Sequence, residues 1–166
     1  PLRVPGTSLR PAQRSLRPPQ RSARPTAISA APAVRVLVVD DNAVNLKVAV
    51  RILEKLGYVV DQAMDGAAAL EAYKAALFDA VLMDLQMPVM DGYEATARIR
   101  ALEELAHRHT PIIAVTANAM PGDREQCLAA GMDDYIAKPV KPDIIRETLA
   151  RWLRANTTRG SAVGQG

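Results

Sequence analysis

Residues 79–92 read "DAVLMDLQMPVMDG". Ala80, Val81, Leu82 and Met83 form an apolar run of the kind that fills a strand buried on both faces. Asp84 ends that run with a lone carboxylate. No helix starts for several residues after it, because Pro88 and the turn pair Asp91-Gly92 interrupt the chain. The fold must therefore place a carboxylate where a buried strand ends.

The same alternation recurs on both sides. Val34–Val39 is a short β-branched strand ended by Asp40-Asp41. From about Ala43 to Leu56, the residues Leu46, Ala49, Val50, Leu53 and Leu56 recur at helical spacing, and Gly57 stops the helix. Tyr58–Val60 is a second strand, Asp65-Gly66 opens an alanine-rich helix to about Leu77, and Asp79–Met83 is the third strand. Tyr93–Leu105 reads as the third helix and Pro111–Thr116 as the fourth strand. Pro121 suits the first turn of a helix that ends near Ala130. Tyr135–Ala137 makes a short fifth strand, and Pro142–Leu153 a last helix with Ile145, Leu149 and Trp152 on one side. Strands that alternate with helices predict an α/β protein: a five-stranded parallel sheet, doubly wound with five helices, in the order 2-1-3-4-5.

Composition narrows the classes. The 166 residues suffice for one domain with a full core. A single cysteine excludes a disulfide framework or a thiolate zinc site and suits a reducing compartment. No apolar run approaches the length of a membrane span, and the N-terminal arginines lack the apolar stretch of a secretory signal. The net charge of +3 conceals two regions. Residues 1–33 hold six arginines, no acidic residue and seven of the 12 prolines, and are expected to be a disordered Pro/Arg/Ser-rich linker. Removing those six from the 21 basic residues leaves 15 against 18 acidic ones, a net of −3 that disfavours nucleic acid as a partner. The domain itself is expected over 34–154, with a disordered tail over 155–166.

In such a sheet ligands sit outside the carboxyl ends of the strands, at the switch point between the first and third. That edge collects Asp40 and Asp41 from the first strand, Asp84 from the third, Thr116 from the fourth and Lys138 after the fifth. Three crowded carboxylates repel one another unless a cation sits among them, and hard oxygen ligands on an incomplete protein set suit Mg²⁺. Thr116 and Lys138 add two donors to an anionic oxygen. Together these groups describe a device for placing a phosphoryl group on Asp84.

Four stretches carry a resemblance: "VLVVDDN" (36–42), "VLMDLQMPVMDG" (81–92), "PIIAVTA" (111–117) and "DYIAKPV" (134–140). In this order and spacing they resemble the signature blocks of the receiver domain of two-component response regulators, whose fold is flavodoxin-like. The likeness covers Arg35 to Leu153. It implies that Asp84 is the phosphoacceptor and that Mg²⁺, with Mn²⁺ as a substitute, is held by Asp41, Asp84 and the backbone carbonyl of Gln86. Asp40 would act through a metal-bound water. Lys138 and Thr116 would bind phosphoryl oxygens, Thr116 and Tyr135 would switch together, and the Lys138-Pro139 bond would be cis. Pro88 and Gly92 would shape the loop, and Gln86 and Asn118 stand at the positions that tune hydrolysis.

"DDNAVN" (40–45) is most similar to receivers fused to hybrid sensor histidine kinases. That implies a histidine kinase or a histidine phosphotransfer domain as partner, and a cytoplasmic location, which includes the cytoplasmic part of a membrane-anchored kinase. The domain would be a phosphoacceptor with at most self-dephosphorylation, the kinase activity belonging to the parent chain. A free-standing single-domain regulator is the near alternative. An aspartate-nucleophile phosphatase needs an acid two residues after its nucleophile, where this chain has Gln86. His107 and His109 read as solvated, and Cys127 as packing or partly exposed.

Overall fold

The computed structural model describes residues 33–161 apart from position 119, with side chains through 156. The expectations for residues 1–32 and 162–166 lie outside the described residues. Ten elements alternate in sequence. The strands are β1 (Arg35–Val39), β2 (Val59–Ala63), β3 (Ala80–Asp84), β4 (Ile112–Thr116) and β5 (Asp134–Ala137). The helices are α1 (Ala43–Lys55), α2 (Gly66–Ala75), α3 (Gly92–Ala106), α4 (Pro121–Ala129) and α5 (Pro142–Ser161). All four strand pairings are parallel, and the sheet order is β2-β1-β3-β4-β5.

Strand alternation sorts the core into two layers. Leu37 and Val39, Val81 and Met83, and Ile112 and Ala114 face one side, where α2, α3 and α4 supply Leu70, Ile99 and Cys127. Val36 and Val38, Ala80 and Leu82, and Ile113 and Val115 face the other, against Leu46 and Leu53 of α1 and Ile145 and Leu149 of α5. Each valine, leucine, isoleucine or methionine among them contributes about 1.5–3 kcal/mol when fully buried. Of the three interior strands, β3 and β4 are buried along their whole length, which explains their apolar runs.

Two boundaries depart from the sequence reading. β2 extends through Asp61 and Gln62, because an edge strand has only one neighbour and tolerates polar residues. α5 continues to Ser161, past the expected helix end at Leu153, since "RANTTR" contains no proline to break it and Gly160 falls only in the last turn.

A buried polar network closes the amino-terminal end of the sheet. Glu103, only 3% exposed, accepts hydrogen bonds from Tyr73 Oη (2.8 Å) and Thr110 N (2.6 Å) and pairs with Arg100. Arg100 also donates to the carbonyls of Gly131 and Thr110 and to Asp133, tying α3 to the α4–β5 turn. Asp133 in turn accepts from Ile112 N, and its Oδ1 lies 2.7 Å from His109 Nε2. His109 is exposed, as the sequence reading expected, and touches this network from the solvent side. The network fixes the start of β5, whose far end delivers Lys138.

Candidate functional site

At the opposite end of the sheet the strands stop together. β1 ends at Val39, so Asp40 and Asp41 emerge at its carboxyl end, and Asn42 caps α1 by accepting from Val44 N and Asn45 N. β3 carries Asp84 as its last residue. Carboxylate oxygens of Asp40, Asp41 and Asp84 come within 4.8 Å of one another. Asp40 and Asp84 are buried, while Asp41 is exposed.

Lys138 reaches this cluster from the loop after β5, anchored by its own N–H on the Thr116 carbonyl (2.7 Å). Its Nζ lies 3.1 Å from Asp40 Oδ2 and 3.2 Å from Asp84 Oδ2. The remaining oxygens face backbone: Asn42 N donates to Asp40 Oδ1 (2.8 Å) and Gln86 N to Asp84 Oδ1 (3.3 Å). The Lys138-Pro139 peptide bond is cis.

The electrostatics are unbalanced. Burial pushes the Asp84 carboxyl above its ordinary value; Lys138 opposes this and Asp40 adds to it. Burial also works against the Lys138 charge, but hydrogen bonding to Asp40 and attraction to both carboxylates outweigh it and hold the ammonium above its ordinary value. The two partners differ because Lys138 faces two carboxylates, whereas each carboxylate has only a share of one ammonium. Three hard oxygen donors with one cation among them suit a small divalent ion.

Thr116 lies at the end of β4, 7% exposed. Its hydroxyl donates to the Asn118 carbonyl (2.9 Å) and accepts from Asn118 N (3.2 Å), so it is turned into its own loop. Tyr135 pairs with Ala114 in the β4–β5 register and Thr116 with Ala137. Tyr135 and Thr116 therefore share a face of the sheet, one step apart. Tyr135 is half-buried there against the core.

The loop after Asp84 folds back on itself. Gly92 N donates to the Leu85 carbonyl (3.1 Å), and a Cβ at Gly92 would overlap the Asp84 carbonyl. Met90 N donates to the Pro88 carbonyl (2.8 Å) around Val89, whose φ is 70°. Gln86 is exposed beside the carboxylates. The site residues singled out from sequence thus fall at this end of the sheet, except Tyr135, which stands one step back within β5 opposite Ala114. The sequence reading took Gly66 only as a helix start, yet it packs against Met90 of this loop.

A parallel sheet in this order, ending in clustered carboxylates beside a lysine and a threonine, defines the receiver class of α/β protein. The response regulator receiver domain family matches residues 36–150, and the chain belongs to that family. Hybrid signal transduction histidine kinase I of Dictyostelium discoideum is 45% identical over 120 residues, which are 69% of this chain but 7% of that protein. The receiver domain of a sensor histidine kinase from Pseudomonas aeruginosa PAO1, solved with magnesium coordinated in its active site cleft, is 48% identical. It aligns with a TM-score of 0.67 over 73% of this chain and 98% of that one. A third similar structure is the receiver domain of the response regulator Ssk1 in complex with the histidine phosphotransfer protein Ypd1 of Saccharomyces cerevisiae. It is 30% identical at a TM-score of 0.67, covering 73% of this chain and 89% of that chain. Among the described residues no helix is long and apolar enough to cross a membrane.

Proposed function

We propose that this receiver takes a phosphoryl group onto Asp84 from a phosphohistidine, as part of a hybrid histidine kinase relay. The observation that carries the reading is Lys138 held between Asp40 and Asp84 within a three-carboxylate cluster. Asp41, Asp84 and the Gln86 carbonyl would hold Mg²⁺, or Mn²⁺ in its place, with Asp40 acting through a water. The bound metal supplies charge neutralisation for the transferring phosphoryl oxygens.

An Asp84 carboxylate oxygen forms the new bond to phosphorus as the histidine P–N bond breaks, and the electron pair leaves with the imidazole. Lys138 shifts its hydrogen bonds from carboxylate to phosphoryl oxygen. Thr116 turns its hydroxyl from the Asn118 carbonyl toward the same group, and Tyr135, on the same face, follows into the vacated space. The phosphoryl then passes to the histidine of a phosphotransfer protein or is lost to water. The receiver comprises residues 34–154 and works in the cytoplasm. A phosphatase reading is disfavoured because Gln86 stands where a general acid is required.

Incubation with acetyl phosphate and Mg²⁺, read by intact-mass spectrometry, tests the assignment. The chain should gain one phosphoryl group, and neither Asp84→Asn nor a metal-free sample should gain it. Undiminished labelling of Asp84→Asn would refute the site.

A further inference from the structure

The acceptor loop is clamped at two glycines on opposite sides. A Cβ at Gly92 would overlap the backbone carbonyl of Asp84, so that position closes the loop's base. A Cβ at Gly66, the first residue of α2, would meet the Met90 carbonyl at 2.5 Å, its Cγ at 2.8 Å and its Cβ at 3.0 Å. The loop's tip therefore rests directly on the start of a helix in a different part of the sequence. Between these contacts the path is short and stiff. Pro88 fixes one dihedral, and Met90 N donates back to the Pro88 carbonyl. Val89 is held at φ 70°, a left-handed conformation that β-branched residues avoid, and its side chain is 92% exposed. Its own packing cannot hold it there, so the surrounding loop contacts must. Met90 itself is 8% exposed and belongs to the core layer under α2.

We infer that Gly66 is a positioning residue for the Gln86 carbonyl, acting through Met90. The inference rests on the proposed Mg²⁺ site. Gly66 touches none of the expected ligands. Its missing side chain lets the loop tip seat low against α2, and the seated tip steadies Leu85–Met87, where the Gln86 N–H already meets Asp84 Oδ1 at 3.3 Å beside the carboxylates. A methyl at position 66 has to push backbone, not the end of a flexible side chain. The displacement then runs along a loop whose base is already closed at Gly92.

The test is Mg²⁺ titration of the full chain, followed through backbone amide NMR shifts of Leu85, Gln86 and Met87. Thermal midpoints are measured separately in EDTA. Gly66→Ala should raise the Mg²⁺ Kd about tenfold or more, the usual cost of disturbing groups that orient metal ligands. Met90→Ala removes atoms instead of forcing a clash, so it probes the same contact from the other side; it releases the tip and should weaken Mg²⁺ in the same direction. A merely structural role would lower the midpoint in EDTA and leave the Kd of the folded protein at its wild-type value. That outcome in both variants overturns the positioning role. If the wild-type chain shows no saturable Mg²⁺ shift, the metal site itself is refuted, and the positioning role with it.

Discussion

Glu103→Gln should destabilise the domain by about 3 kcal/mol while leaving the acceptor site intact. Glu103 is buried and receives three donors: Tyr73 Oη, Thr110 N and the Arg100 guanidinium. Glutamine keeps the shape but removes the charge that Arg100 and both other donors face. Breaking a buried ion pair from one side costs about 3–5 kcal/mol. Arg100 retains Asp133 and is itself 17% exposed, which places the expectation at the lower end. The thermal midpoint should fall by roughly 10 °C for a domain of this size. Urea denaturation at pH 7 with an unchanged m-value would measure it.

The pH dependence gives the same prediction a second, independent check. Burial acts to raise the Glu103 carboxyl, but hydrogen bonds from Arg100, Tyr73 and Thr110 outweigh it and hold it below its ordinary value. A lowered carboxylate stabilises the fold fully above its unfolded pKa of about 4.3 and loses that contribution as pH falls through the lower folded value. The gap between wild type and Glu103→Gln should thus be full at pH 7 and close in acid. A gap under about 0.5 kcal/mol at pH 7, within the usual range for a surface substitution, would refute the assignment of this network as a stabilising hub. So would a gap that stays constant to pH 3.

Two further outcomes follow from the acceptor end. In EDTA at pH 7, Asp84→Asn should raise the thermal midpoint, because burial holds the Asp84 carboxyl above its ordinary value and its ionised form opposes folding; the same variant should lose the midpoint increase that Mg²⁺ gives wild type. Lys138→Met keeps the side-chain stem but leaves Asp40 and Asp84 facing each other, and should cost about 1–2 kcal/mol in EDTA. Added Mg²⁺ should restore more stability to that variant than to wild type, and an equal response in both would show that Lys138 does not offset the carboxylate repulsion.

How much of this was legible in the sequence depends on the range over which each feature is encoded. The central strands announced themselves, since burial on both faces demands apolar runs such as "AVLMD" and "IIAVT". The acceptor-end residues were legible because each sits immediately after its own strand, so a correct strand end places a correct side chain. Edge strand β2 was cut short because Asp61 and Gln62 break the apolar pattern where only one neighbour is present. The polar network was missed altogether: Tyr73, Glu103 and Asp133 lie about 30 residues apart, and the two carboxylates belong to types usually found at surfaces. One signal was available. Ala95, Ile99 and Glu103 recur every four residues on the buried face of α3, so a glutamate stood in an apolar stripe and required partners. Gly66 was invisible for another reason, because a glycine that makes room for backbone has the same local pattern as one that merely begins a helix.

The two ends of the sheet use the same kind of side chain to opposite effect. At the amino-terminal end Glu103 meets three donors, and its carboxyl is held below the ordinary range. At the carboxyl-terminal end Asp84 shares one ammonium with Asp40, and burial carries it above that range. A fold selected for stability alone would give both carboxylates their full set of partners. The deficit at Asp84 leaves room in the local electrostatics for a divalent cation and for a group that brings its own negative charge, and it makes binding there stabilising. Arg100 links the two ends mechanically, since α3 begins on the acceptor loop at Gly92 and is tied near its far end to the turn that leads into β5. The well-satisfied end therefore holds rigid the strand that presents Lys138, and the under-satisfied end can afford to be reorganised by its ligand.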